Sequence, residues 1–278
     1  MNVVIFSKDR ACQLDACLRS LQKFCISPGN KITVIYMASD KGFELGYDLT
    51  KLMFKQEYNI TWKRQSFSFK KDVLESVYSS DPLTMFLVDD IIFKAPFSTS
   101  DKEVELVKNN KEILALSLRL DQNITHCYAT NQPSTVPSFV KGNIWKWPGA
   151  EGDWGYPFSV DGNIYRTDFI LPKLQLYGYN NPNELEAMLN SNNASLVALG
   201  TSGKPEYMAC YSKGSKLVNI PANRVQNAFQ NRHANSMSAE ELNTRFINGE
   251  HISLDTVGNI QNTTVHAEIP YIWVGKES

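Results

Sequence analysis

Over its first 120 residues the chain alternates between short apolar, β-branched runs and longer stretches with apolar residues at helical spacing. Few folds tolerate that rhythm. NVVIFS (2–7), KITVIYM (31–37), ITWKR (60–64), LTMFLVDD (83–90) and EILALSLRL (112–120) read as strands. Residues 10–25, 43–58, 70–80 and 101–110 read as helices; in the first, Cys12, Leu14, Leu18, Leu21 and Phe24 recur near helical spacing. Strands separated by helix-length segments imply βαβ units with right-handed crossovers. The predicted class is α/β: a Rossmann-like, mostly parallel central sheet with helices on both faces.

The second half changes character. Residues 121–158 are rich in Pro, Gly, Asn and Trp and lack clear periodicity, as functional or mobile segments do. PFSVDGNIYRT (157–167) returns to strand character, and helices are predicted at 167–178 and 183–192. KLVNIP (216–221) reads as a further strand. SAEELNTRFINGE (238–250) is a helix with Ser238 as N-cap, Glu241 three residues on and Gly249 as its stop. Neither an internal repeat nor a low-complexity linker is visible. The expectation is one domain of two halves, 1–120 and 121–278.

Charge excludes one class of partner. The 28 basic and 29 acidic residues are interspersed, so no basic stripe exists to capture nucleic acid. No apolar run is long enough to span a bilayer, and MNVVIFSKDR reads as a first strand rather than a leader. The five Cys form an odd set without CxxC spacing, which fits free thiols in a reducing cytoplasm.

FLVDDIIF (86–93) places two carboxylates side by side between apolar runs, an arrangement that costs free energy unless the charge is offset. In parallel α/β sheets, ligands bind beyond the carboxyl ends of the strands. Asp89 and Asp90 fall at such an end, and adjacent strand residues point to opposite faces, so the pair is expected to divide its labour. A divalent cation with oxygen ligands would offset the charge. The same edge receives Ser7 to Arg10 after the first strand, ahead of a helix N-terminus that favours anions. It also receives Ser39 and Asp40 after the second strand, with Lys70 and Lys71 near the next turn, suited to phosphate.

VVIFSKDRACQLDACLRSL, a second strand ending in ASD, and MFLVDDIIF as the fourth resemble the nucleotide-sugar-binding half of a GT-A fold glycosyltransferase of the family 2-like kind, over residues 1–120. That family's DxD motif stands here as Val88-Asp89-Asp90. The resemblance implies Asp90 as a ligand of Mn²⁺ or Mg²⁺ and Asp89 near the ribose or donor sugar. It implies Phe6, Asp9, Arg10 and Asp40 around the nucleotide; Lys71 joins them from its place near the turn. It further implies a third metal ligand from a His near the C-terminus, for which His266 and His233 are the candidates. The activity implied is transfer of a hexosyl or N-acetylhexosaminyl group from a UDP- or GDP-sugar to a hydroxyl acceptor in glycan or polysaccharide synthesis. A lipid-linked acceptor would bring the chain to the periphery of a membrane. The alternative is a non-catalytic nucleotide- or carbohydrate-binding protein that keeps the fold. No GxGxxG follows the first strand, which disfavours a dehydrogenase.

WKWPGAEGDWGYPFSVDGNIYRTD (145–168) is the most unusual passage. Aromatic faces stack on sugars and carboxylates accept their hydroxyls, so this is the expected acceptor side. An inverting transferase also needs a base within reach of the attacking hydroxyl; Asp153 and Asp161 are the candidates. Against this, Trp145, Trp147 and Trp154 could be core anchors, and Asp161-Gly162 a hairpin turn.

Overall fold

The computed structural model describes residues 1–25, 29–55, 60–192, 205–225, 236–258 and 260–275. In the first half β1 (Asn2–Lys8), α1 (Ala11–Phe24), β2 (Lys31–Met37), α2 (Lys41–Met53), β3 (Ile60–Arg64), α3 (Phe69–Ser76) and β4 (Leu83–Val88) alternate as expected. A short β5 (Ile91–Phe93) follows, then α4 (Lys102–Asn109) and β6 (Ile113–Ser117). The second half supplies β7 (His126–Cys127), β8 (Gln132–Pro133), β9 (Phe139–Lys141), β10 (Ile144–Lys146), β11 (Asn163–Arg166), α5 (Thr167–Leu176), α6 (Pro182–Ser191), β12 (Tyr207–Cys210) and β13 (Leu217–Asn219). It ends with α7 (Ala239–Ile247), β14 (His251–Ile252) and β15 (Trp273–Val274).

Nine strands form the central sheet, in the order β3-β2-β1-β4-β11-β6-β12-β10-β9. β1, β2, β3 and β4 pair in parallel, as do β6 and β12. β11 and β10 run against their neighbours. The sheet is therefore mostly parallel, as predicted. Strict alternation along β1 sends Val3 and Ile5 into one core and Val4 and Phe6 into the other. The first core is closed by α1, α2, α4 and α7, through residues such as Leu14, Tyr47, Val104 and Phe246. The second is closed by α3, α5 and α6, through Val73, Phe169 and Leu185. Helices thus lie on both faces. Each fully buried Leu, Ile or Phe contributes about 1.5–3 kcal/mol.

Three local features depart from the expectation. Strand β4 stops at Val88, and Asp89-Asp90 form a turn before β5. β5 then leaves the central sheet and pairs with β13, so the segment predicted as a strand at 216–221 belongs to a separate two-stranded sheet. β11, from the second half, lies between two strands of the first half and is antiparallel to both. Asp161-Gly162 is accordingly not a hairpin turn: the partners of β11 are β4 and β6.

The tryptophans are interior. Trp145 and Trp154 are completely buried and pack edge to face at 4.9 Å. The indole N–H of Trp145 donates to the carbonyl of Trp154 and that of Trp154 to the carbonyl of Ile124, both at 3.0 Å; that of Trp147 donates to Pro205 at 2.9 Å. With faces covered and N–H groups satisfied they anchor the irregular segment to the sheet, which replaces the expectation that they stack on sugars.

Candidate active site

The site follows from strand direction. β1, β4 and β6 end on one edge, and there the chain places Asp9 and Arg10, Asp89 and Asp90, and Arg119. β11 runs the other way, so the residues just before it, Asp161 and Gly162, reach the same edge. The N–H of Gly162 donates to Phe86 at 2.8 Å and its carbonyl accepts from Leu118 at 3.1 Å. A second-half carboxylate is thereby fixed opposite the acid pair.

The acid pair does divide. Asp90 lines a cavity of about 470 Å³, together with Arg10, Arg119, Asp153, Asp161, Glu186 and His266 among others. Asp89 lines a neighbouring cavity of about 330 Å³, with Phe6, Ser7, Lys8 and Arg10. A third, of about 760 Å³, is lined by Asp9, Ser39, Asn223 and Arg224. Val225 borders all three.

Both acids are buried and tied by hydrogen bonds. Asp89 accepts from the Lys8 N–H and from Arg10 Nη1, each at 3.2 Å. Asp90 accepts from Arg10 Nη1 at 3.0 Å and from Asn219 Nδ2 at 2.8 Å. Burial pushes the Asp89 carboxyl up to about 6, with Arg10 opposing and Asp90 adding to the rise. Burial likewise raises Asp90, against the pull of Arg10.

The remaining donor-side residues are placed unequally. Asp9 sits at φ +54, a backbone region uncommon for a side-chain-bearing residue, and accepts from the Ser39 N–H at 2.7 Å. It thereby staples the loop after β1 to the loop after β2. Phe6 packs in the core between Phe69, tilted at 5.3 Å, and Phe86, stacked at 5.9 Å, while bordering the smaller cavity. Asp40 is exposed and caps α2 by accepting from Gly42 and Phe43. Lys71 is exposed and pairs with Glu75 at 3.7 Å. Neither Asp40 nor Lys71 borders these three cavities.

On the acceptor side, Arg119 is buried and lies 3.7 Å from Asp153 and 3.8 Å from Asp161. The structure thus joins both base candidates through one guanidinium. Glu186 on α6 accepts from the Val160 N–H at 3.0 Å, and Asn190, one turn on, donates to the Phe158 carbonyl at 2.6 Å. Together they clamp the segment that leads to Asp161. Burial pushes the Asp161 carboxyl up to about 8, reinforced by Glu186 and opposed by Arg119. His266 stacks on Tyr128 at 4.9 Å, with Nε2 3.9 Å from Asp161. Burial, then Arg119, push it down to about 3, so it is neutral at physiological pH. Asp153 Oδ2, Arg119 Nε, Asn219 Oδ1 and His266 Nδ1 are buried without a hydrogen-bond partner among the described residues. All four residues line the larger cavity.

Arg119 and Glu186 are absent from the sequence reading of the site. A charge inside the apolar run EILALSLRL was a signal for Arg119 of the same kind as the acid pair. Glu186 gave none, being one acid among several on a helix. His233 lies outside the described residues.

The residues as placed do not fit the divalent ion implied for Asp90 and His266. Both Asp90 oxygens are engaged, by Arg10 and Asn219, and His266 turns Nε2 toward Asp161. Among the described residues no group of three His, Cys, Asp or Glu could hold an ion.

No protein-family model matches the chain. It is 29% identical over 265 residues to the bifunctional glycosyltransferase pgtA of Dictyostelium discoideum. The chain is a relative of a glycosyltransferase. The match takes in 83% of this chain and 33% of pgtA, so the chain spans about a third of the length of that relative. The first 349 residues of S. aureus TarS superpose with a TM-score of 0.47 at 12% identity, over 78% of this chain and 60% of that one. A cytidylyltransferase from Leptospira borgpetersenii gives 0.41 at 14% identity, over 78% and 80%. Likenesses this loose carry neither a ligand nor a reaction across. Among the described residues no helix is long and apolar enough to cross a membrane.

Proposed function

We propose that this glycosyltransferase relative is itself a glycosyltransferase that uses a nucleotide-diphosphate sugar, UDP-linked in the first instance. The observation that carries the reading is the meeting of Asp90 and Asp161 in one cavity of about 470 Å³, with Asp89 facing the smaller cavity alongside. The nucleoside occupies the smaller cavity, where Phe6, Ile35 and Phe69 offer an apolar wall and Asp89 accepts from ribose hydroxyls. The diphosphate passes Arg10, which borders both cavities. The sugar and the acceptor hydroxyl share the larger cavity, whose polar lining takes up their hydroxyls.

In this arrangement Asp161, when ionised, takes the proton of the acceptor hydroxyl. The acceptor oxygen bonds to the anomeric carbon, and the bond from that carbon to the diphosphate breaks with its electron pair leaving on the nucleotide. Asp153 shares Arg119 with Asp161 and holds that guanidinium in place.

A thermal-shift panel of nucleotides and nucleotide sugars tests the reading. A ligand at a hundredfold over its dissociation constant adds about 2.7 kcal/mol. The expected result is stabilisation by UDP or a UDP-sugar, followed by donor hydrolysis that Asp161→Asn suppresses. A flat panel for every nucleotide removes the transferase reading; binding without turnover on any acceptor leaves a binding protein.

A further inference from the structure

The acid pair already has a cation, and the chain supplies it. Arg10 Nη1 stands 3.2 Å from Asp89 and 3.0 Å from Asp90, with its side chain only 11% exposed. The rest of the guanidinium is fixed as firmly. Its Nε donates to Asn223 Oδ1 at 2.9 Å and its Nη2 to the Asn223 carbonyl. Asn223 is held in turn, donating to the Met237 carbonyl at 3.1 Å. Arg10 therefore sits at the junction of the loop after β1, the turn after β4 and the segment after β13.

A divalent ion at Asp90 would have to share Oδ2 with Arg10 or Oδ1 with Asn219. Sharing Oδ2 would set two cations side by side in a buried site, and like charges at that range repel strongly. Displacing Arg10 instead would leave a buried guanidinium without one of its two carboxylates, the costly half of breaking a buried ion pair. A planar guanidinium is meanwhile well suited to stand against carboxylates and phosphates, since its donors form a fixed fork.

We infer that Arg10 takes the place of a divalent ion at the acid pair: it closes Asp89 and Asp90 to metal, and the nucleotide donor binds beside it without one. The second clause rests on the proposed function; the first stands without it.

Two measurements test this on the full chain. The first is calorimetric titration with Mn²⁺ alone. Wild type is expected to take up no Mn²⁺ at the acid pair, whereas Arg10→Met opens the pair and gains about tenfold or more in Mn²⁺ affinity, the size of effect that groups around metal ligands commonly exert. Arg10→Lys keeps a charge near the acids and is expected to stay closed to Mn²⁺, which provides a readout should Arg10→Met fail to fold. Wild type binding Mn²⁺ as tightly as Arg10→Met, or Arg10→Lys binding it more tightly than wild type, overturns the inference. The second measurement is the thermal shift given by UDP in EDTA and in Mn²⁺. Equal shifts support the inference; a shift that vanishes in EDTA overturns it. If UDP gives no shift in either buffer, the functional reading fails while the Mn²⁺ titration still decides the role of Arg10.

Discussion

The N–H of Gly162 donates to the carbonyl of Phe86 at 2.8 Å, and this bond joins the turn that carries Asp161 to the strand that delivers Asp89 and Asp90. Gly162 sits at φ +85, where a side chain is strained, and a Cβ there would meet Leu217 Cδ2 at 2.5 Å. Leu217 is buried and cannot swing away freely. Gly162→Ala is therefore expected to cost about 1–3 kcal/mol, read by urea denaturation, and to lower turnover by shifting Asp161. A variant as stable and active as wild type would show that the turn tolerates both strain and overlap.

Asp161 makes stability depend on pH. Burial pushes its carboxyl up to about 8 in the folded chain, against about 3.9 when unfolded. The folded state holds the proton more tightly. The resulting stabilisation is complete below the unfolded value and is lost as pH rises through about 8. Asp161→Asn stays neutral throughout, so its melting temperature relative to wild type is expected to climb between pH 5 and pH 9. A difference that is flat across that range would show that the carboxyl is not protonated in its cavity.

The opposite sign applies to His266. Held near 3 when folded and near 6.5 when unfolded, it contributes stability above pH 6.5 that drains away as pH falls toward 3. His266→Gln removes that liability. Relative to wild type, the variant is expected to gain stability between pH 7 and pH 4, measured by thermal melts in matched salt. A widening deficit in acid instead would place a protonated imidazole in the fold.

Trp145 separates a structural from a sugar-binding role. Its complete burial and its satisfied N–H predict that Trp145→Ala costs about 3–5 kcal/mol. Equilibrium denaturation checks this. A loss under about 1 kcal/mol, accompanied by weakened acceptor binding, would return the indole to the ligand.

Much of this was legible because local rules and tertiary context agreed. Ser238 and Glu241 form the reciprocal cap that their spacing announced. The acid pair stood out because adjacent charges after an apolar run need a reason. Strand β11 was readable as a strand but not as a neighbour of β4, because side-chain period specifies which face is buried and says nothing of which strands pair. The three tryptophans misled because an aromatic cluster beside glycines and acids is composed alike whether it faces a sugar or a core. Asp40 is ambiguous in the same way, since an acid that caps a helix and an acid that meets a ribose occupy the same position in sequence. Arg10 was placed near the nucleotide from resemblance, yet its bond to both carboxylates joins residues some 80 apart in the chain, which no local pattern can show.

Because β11 lies between β4 and β6, the sheet cannot be finished by the first 120 residues alone. During synthesis β4 and β6 must each wait with an open edge until residue 166 has been made, and the nascent first half offers those edges to any other strand nearby. One late four-residue strand thus bridges β4 and β6, and the same event that joins them installs Asp161. A chain that has not closed its fold has not built its active centre either.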